Sequence, residues 1–395
     1  MAISMCSSSG QQKILDSPVR EATRERLRGV SVVVPTHGRV ELVKRLLRSL
    51  SLARSRYTGP SEVLTIDSSS PADAEAIASA CTEQNACYIA GPANVRQKRN
   101  LGIAESKYQI LLFVDSDCEA HPELLRIHAQ AYDQEPNIGG VLGLTEFTGP
   151  IPWHWRIIEY TPFLNAFSFA RDMLYAAWGT CSNLSVSASV LERVGVFDEE
   201  FPFRLGGDDL DLTWRISRSG HALKCVPEAV VYHARETWGS IHSVIRRAWR
   251  WGRMEHHLLN RHPELRFPSM PRRFIVFSLL VVLSVLRSVA TGRLTALLLP
   301  VAWLVTIWML DVVRSIHIGR RTDLRSPYYL LSRSLAWIYT AGAMFEHMRR
   351  RDWRGLGKRM LFDYYQLQRE WEDGVWNAYS TLVGFAAMII LVPFT

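Results

Sequence analysis

The chain has 395 residues, of which 48% are hydrophobic and 21% charged, with a formal net charge of +8. That composition excludes a disordered or fibrous chain and is enough for a domain of more than ~200 residues with an appendage. Six scattered cysteines with no C-x-x-C pair argue against a disulfide framework or a cysteine zinc site and read as reduced thiols.

Residues 1–28 are polar and charged, with no apolar stretch of signal-peptide length before Val30, so they are expected to form a loose tail on a chain that starts in the cytosol. "VSVVVPTHGR" (30–39) is a β-branched run closed by Pro35, the pattern of a fully buried strand. A helix is predicted next, with Leu42, Leu46, Leu47 and Leu50 on one face. "EVLTIDSSS" gives a second strand ending at Asp67, "ADAEAIASACTEQ" a second helix, "RQKRNLGIAES" a third, and "YQILLFVDSD" another strand.

Strands alternating with helices imply a parallel sheet, in which ligands bind outside the carboxyl ends of the strands. Those ends carry Pro35-Thr36, Asp67 and the pair Asp115/Asp117. Two carboxylates one residue apart at a strand end repel each other, and a hard divalent cation, Mg²⁺ or Mn²⁺, relieves that repulsion. About ninety residues on, "GGDDLDLTWRI" places Asp208, Asp209 and Asp211 at a helix start, where the dipole favours carboxylates. A short strand, "AVVYH", ends at His233.

Beyond residue 235 the chain changes character. "SVIRRAWRWGRMEHHLLNRHPEL" interleaves Arg246, Arg247, Arg250 and Arg253 with Trp249 and Trp251, suited to lipid headgroups or a diphosphate-bearing lipid, and 236–272 is expected to form an amphipathic interface region. From 273 to 395 a helical, membrane-associated region is predicted, with spans at about 274–292, 294–311 and 375–394 and an interfacial helix at about 334–346. Arginine clusters at 314–325 and 349–359 mark a cytosolic side, and Arg287 and Arg293 are expected to reach the far interface. All thirteen tryptophans follow residue 150. The adjoining spans make nucleic acid an unfavoured partner despite the positive charge.

Taken in order, "VVVPTHGR", "IDSSS", "RNLG", "FVDSDC", "SNLSVSASVLERVGVFDEEF", "GDDLDLTWRISRSG" and "VVYH" resemble the family 2 inverting glycosyltransferases of the GT-A fold, over about residues 30–235. The resemblance implies an α/β, Rossmann-like nucleotide-diphospho-sugar transferase domain (29–235) followed by the helical membrane region. It implies that Pro35, Thr36 and Arg39 line the nucleotide pocket, that Asp67 accepts hydrogen bonds from the base, and that Arg99 lies near the diphosphate. Asp115 then contacts ribose or metal, Asp117 and His233 ligate Mn²⁺ or Mg²⁺, and Asp209 is the general base beside Asp208. Asn183, Trp249, Arg250 and Trp251 are expected on the acceptor or membrane side.

Two departures stand out. Serines follow Asp67 where a second Asp and a Gly are common, and Asp208 stands where the family usually has Glu. The expected activity is transfer of a sugar from a nucleotide-sugar to a lipid-linked or cell-envelope glycan acceptor, at a cell membrane and on its cytoplasmic face. "RAWRW" also resembles the Q-x-x-R-W element of processive synthases, with Arg247 in the place of Gln, so a processive polysaccharide synthase is one alternative and a non-catalytic GT-A scaffold the other.

Overall fold

The computed structural model describes residues 26–202, 206–319, 327–361, 375–376 and 378–388. Residues 1–25 of the expected tail, and the end of the expected last span, lie outside them. Two compact units emerge: Met1–Pro150, Asn165–Phe203 and Asp208–Thr237 form the first; Ile151–Leu164, Arg204–Gly207 and Trp238–Thr395 form the second.

In chain order the elements of the first unit are β1 (Leu27–Thr36), α1 (Val40–Arg56), β2 (Ser61–Asp67), α2 (Pro71–Glu83), β3 (Cys87–Ala90), α3 (Val95–Glu105), β4 (Tyr108–Val114), β5 (Cys118–Ala120), α4 (Leu124–Gln134) and β6 (Gly140–Thr148). After α5 (Trp153–Ile158), which belongs to the second unit, come α6 (Asn165–Asp172), β7 (Tyr175–Ala176), β8 (Asn183–Ser187), α7 (Ala188–Val194), α8 (Asp208–Arg218) and β9 (Leu223–Ala234). The sheet runs β3-β2-β1-β4-β8-β6-β9-β5, with β7 added to β9. β1 to β4 are parallel, whereas β8 is antiparallel to both β4 and β6.

Both faces of the central strands are buried, which is why their sequences read as continuous apolar runs rather than alternating ones. Val32 and Val34 of β1 and Leu112 and Val114 of β4 pack with α1, α2 and α4. Val33, Leu111 and Phe113 point the other way, into a second core with Leu191, Leu212 and Ile216 of α7 and α8.

β9 is longer than the expected "AVVYH" and contains Pro227, which cannot donate to a ladder. Its pairing with β6 slips there, from Gly143↔Val226 to Leu144↔Val230, so the strand absorbs the proline in a bulge. β3, β5 and β7 are too short to carry a periodic signal and escape the sequence.

In the second unit α9 (Ile241–Arg261) packs on α12 (Pro327–Arg349). Contact is at backbone distance: a Cβ on Gly252 would lie 1.9 Å from the Tyr339 carbonyl oxygen, and one on Gly342 would lie 2.4 Å from that of Trp249. Trp249 and Trp251 of α9, expected on the acceptor or membrane side, lie among other aromatic rings. Both are only partly exposed, Trp249 against Phe345 and Trp251 against Phe163 and Trp238. Trp155 meets Trp238 edge-on within this unit. α12 also runs well past the expected 334–346, because no proline follows Pro327 before Arg349 and Arg333 does not end a helix.

α10 (Arg272–Thr291) and α11 (Leu298–Gly319), joined by a turn at Gly292, fall in two stretches long and apolar enough to cross a membrane, Arg272–Thr291 and Leu294–Arg314. Only 17% and 33% of these windows are buried, where the core helix of a soluble protein would be mostly enclosed. Leu279, Val282, Leu283, Leu286 and Val289 of α10 are among the exposed side chains. At the other end of the hairpin, buried Arg273 grips Asp311 through two hydrogen bonds, and the Trp376 indole and Ser380 hydroxyl complete the knot. The remaining described apolar helix, Ala378–Met388, is shorter than a span, and residues 389–394 of the expected span 375–394 lie outside the described residues. β10 (Arg266–Pro268) and β11 (Lys358–Met360) pair as a small ribbon.

Candidate active site

The site is built at the carboxyl end of the sheet. β4 delivers Asp115 and turns at once, the Cys118 amide donating to the Asp115 carbonyl at 3.1 Å. β5 then runs antiparallel to the end of β9, pairing Cys118 with His233, while the Ala234 amide donates to the Asp117 carbonyl at 2.9 Å. Strand pairing therefore brings His233 to Asp117, with Nε2 3.4 Å from Oδ1 and both side chains nearly buried. Phe147 packs on the imidazole, with ring centres 5.0 Å apart.

Arg39 Nη1 donates to the other oxygen, Asp117 Oδ2, at 2.6 Å. Arg39 is held in the left-handed region (φ 56°) immediately before α1, a conformation that turns the chain from β1 back over the strand ends. A carboxylate oxygen and an imidazole nitrogen at this separation fit a divalent cation, and the imidazole favours Mn²⁺ over Mg²⁺. Cys118 is close by, and burial, then the charge of Asp117, pushes its thiol well above the usual range.

The later acidic pair divides its tasks. Asp208 is buried and ion-paired twice, to Arg99 Nη1 at 2.5 Å and to Arg96 Nη2 at 3.4 Å. Arg99 spans from Asp208 to Asp115 (3.3 Å) and rests on the Phe197 ring, while Arg96 rests on Phe201. Arg99 thus joins the two acidic motifs through ion pairs rather than standing exposed. Asp209 makes no ion pair among the described residues; its Oδ1 accepts only the Leu210 amide at 2.9 Å. Burial first, then the neighbouring charge of Asp208, pushes its carboxyl up to about 7. Gly206 and Gly207, both at φ near 85°, lead into α8.

Around the first two strand ends, Thr36 is buried and its carbonyl accepts from the Lys98 ammonium. Asp67 is 1% exposed, with Oδ1 accepting from Ser69 N and Oγ and Oδ2 from Tyr88 Oη at 3.1 Å. Ser69 also receives the Gly38 amide at 2.6 Å, so the unusual serine links β2 to the Pro35-Thr36 loop. A hydrogen-bond donor approaching Asp67 would meet only the lone pairs these groups leave. Burial, then the charge of Asp67, pushes the Tyr88 phenol up to about 12. Lys98 and Tyr88 were missed by sequence reasoning; Lys98 was hidden in a basic helix, and Tyr88 in a four-residue strand.

Asn183 is the clear correction. It is 1% exposed, its Nδ2 donates to the Leu144 and Ala229 carbonyls, and its Oδ1 faces His128 Nε2 at 2.9 Å. Every polar atom of its side chain is used inside the sheet, so it does not face an acceptor. Burial holds His128 down at about 4, so the imidazole is neutral in this network.

The comparisons agree with this architecture. The model of "Glycosyl transferase family 2" matches residues 31–194. Validoxylamine A glucosyltransferase of Streptomyces hygroscopicus subsp. jinggangensis is 26% identical over 240 residues, 53% of this chain and 54% of that one. Glycosyltransferase AglE of Haloferax volcanii is 25% identical over 227 residues, covering 54% and 69%. The chain thus spans about half the length of the first of these relatives. Among solved structures, mannosyltransferase PcManGT from Pyrobaculum calidifontis, in complex with GDP-Man and Mn²⁺, superposes with a TM-score of 0.51 at 17% identity, over 81% of this chain and 87% of that one. The α/β sheet domain has a GT-A fold, and its residues 31–194 match the model of glycosyl transferase family 2.

Proposed function

We propose that the protein is a membrane-anchored inverting glycosyltransferase. It moves a sugar from a nucleotide-sugar donor to a hydroxyl of a lipid-linked or cell-envelope glycan acceptor, with Asp209 as general base. The observation that carries the reading is the division of the carboxylates. Asp117 converges with His233, Asp208 is neutralised by arginines, and Asp209 alone stays unpaired with its carboxyl raised to about 7. A base of that strength holds a proton loosely enough to ionise near neutrality and tightly enough to take one from an attacking hydroxyl.

Asp117 and His233 are the residues that would hold the divalent ion. A bound cation supplies charge neutralisation for the departing diphosphate. Arg39, at 48% side-chain exposure and bonded to Asp117, is placed in this reading to orient that carboxylate and to meet phosphate oxygens. Pro35, Thr36 and Asp67 form the nucleotide wall, with Asp115 toward the ribose. Asp208 and Arg99 act as positioning residues.

The relative with GDP-Man and Mn²⁺ supports a nucleotide-sugar and a metal in this fold. The proposed organisation is a catalytic domain at 29–235, a linking region at 236–272 and a membrane region at 273–395. The arginine clusters favour a cytoplasmic catalytic face. Membrane fractions washed with alkaline carbonate are expected to retain the full chain; release into the supernatant would remove the spanning role of α10 and α11.

Nucleotide release from UDP-, GDP- and dTDP-sugars, measured on detergent-purified protein with a membrane-lipid extract as acceptor source, tests the activity. Turnover of one donor is expected, falling by about 100-fold or more in Asp117→Asn and on addition of EDTA. Full turnover without divalent ion would sink the role of Asp117, and silence with every donor would sink the transferase reading.

A further inference from the structure

We infer that His256, His347 and Asp352, all in the second unit, form a binding site for one divalent transition ion of the Zn²⁺ class. The cluster shares no residue with Asp117 and His233. His256 Nδ1, His347 Nδ1 and Asp352 Oδ2 form a triangle with sides of 3.0, 3.0 and 3.4 Å. A tetrahedral ion with bonds of ~2.0–2.1 Å needs ligand atoms about 3.3 Å apart, so the three atoms already outline one face of its coordination shell.

The chain builds this triangle deliberately. α9 and α12 meet at their glycines and bring His256 opposite His347, both nearly fully buried. After α12, Arg351 adopts φ 57° and the Asp352 amide returns to the His347 carbonyl at 2.9 Å, folding the carboxylate back over the ring. The Gly355 amide fixes the other oxygen, Asp352 Oδ1, at 3.0 Å. A Cβ on Gly355 would stand 2.2 Å from His347 Nδ1 and 2.4 Å from Asp352 Oδ2, so only glycine leaves the cradle open.

Hydrogen bonding does not account for the cluster. Each neutral imidazole nitrogen carries a proton or a lone pair, never both. His256 Nε2 faces the Asn260 amide nitrogen at 3.0 Å, which makes it an acceptor and puts the ring proton on Nδ1. If His347 Nδ1 is also protonated, two N–H groups confront each other at 3.0 Å; if it is not, its lone pair confronts the Asp352 carboxylate at the same distance. Turning the Asn260 amide over only moves the conflict, because His256 Nδ1 then presents a lone pair to Asp352 Oδ2 at 3.4 Å. His347 Nε2 is buried with no hydrogen-bond partner among the described residues.

A cation among the three lone pairs removes the clash. His256 Nε2 then donates to the turned Asn260 oxygen, the outer hydrogen bond usual for a metal-bound histidine, and exposed Arg266 gives up its bond to that oxygen for water. Two imidazoles and one carboxylate select a borderline ion over Mg²⁺ or Ca²⁺. Asp352, with 28% of its side chain exposed, provides the route of entry and a side for a fourth ligand, water.

Zinc content of the untagged full chain, loaded with Zn²⁺ and dialysed against metal-free buffer in detergent, tests the site. The background is Asp117→Asn with His233→Asn, which removes the other cluster. About one Zn²⁺ per chain is expected there, falling at least ~10-fold in His347→Gln, Asp352→Asn and Gly355→Ala. Co²⁺ loaded instead is expected to show tetrahedral ligand-field absorption that the same variants abolish. Asp352→Asn and Gly355→Ala lie at the cluster's edge and keep the test open if His347→Gln does not fold. A background protein without zinc, or zinc content unchanged in Asp352→Asn and Gly355→Ala, would overturn the site.

Discussion

Asp209→Asn is expected to lower the rate of sugar transfer by about 10²–10⁴-fold, the usual contribution of a general base, with donor affinity changed by less than about twofold. The asparagine keeps the size and can still accept the Leu210 amide, but it cannot take a proton. Asp209 forms no ion pair with an arginine among the described residues, so the substitution leaves the ion pairs of the site as they are. Transfer kinetics and donor titration on the same preparation separate the two effects. Turnover equal to the parent protein would remove Asp209 as base.

The pH dependence belongs to the same carboxyl. A base acts only when ionised, so kcat/KM rises with pH and levels off above about 7, the value to which burial and Asp208 raise Asp209. Stability runs the other way. A carboxyl whose folded value lies above its unfolded one, near ~4, binds its proton more tightly in the native state. Asp209 therefore makes unfolding easier as pH climbs from ~4 to about 7, and the asparagine variant lacks that decline. Thermal unfolding of the two proteins across this window checks the sign independently of any assay of transfer.

How much of this was legible in the sequence depends on the distance over which the information is carried. Strands and helices were readable where apolar runs were long and their ends polar: β1, β2 and β4, each closing on Pro35-Thr36, Asp67 or Asp115. The candidate ligands Asp117 and His233 were named from motif order, but what joins them is the pairing of a three-residue strand with the end of β9, which no local pattern announces.

Arg99 was expected near a diphosphate and Arg96 was read only as part of the third helix. Their ion pairs to an acid more than a hundred positions away depend on the fold bringing α3 to the start of α8. Asn183 misled for the opposite reason: a polar residue in a serine-rich run looks exposed, yet here it stitches β8 to its neighbours. The second histidine cluster left no sequence trace, because His256 and His347 stand 91 residues apart on helices whose contact is set by two glycines.

Asp208→Ala, one residue from the base, is expected to act on stability before it acts on chemistry. Among the described residues it leaves Arg96, 1% exposed, with the Pro202 carbonyl at 3.4 Å as its remaining acceptor, and leaves Arg99 with Asp115 as its remaining acid. Breaking a buried pair from one side costs about 3–5 kcal/mol, because the surviving charge stays desolvated. For a domain of this size that lowers Tm by roughly 10 °C. Asp208→Asn retains an oxygen for one guanidinium and is expected to lose less. The contrast is the test: a Tm for Asp208→Ala within about 1 °C of the parent would mean that the arginines find other partners, whereas Asp209→Asn is expected to stay within that range at or below about pH 4, where Asp209 is protonated in both states. Two adjacent acids at one helix start thus do separate work because α3 directs its arginines to only one of them. Arg99, with Nη1 2.5 Å from Asp208, holds Asp208 and Asp115 in one frame, and in the proposed reaction the unpaired Asp209 is left in that frame to exchange its proton.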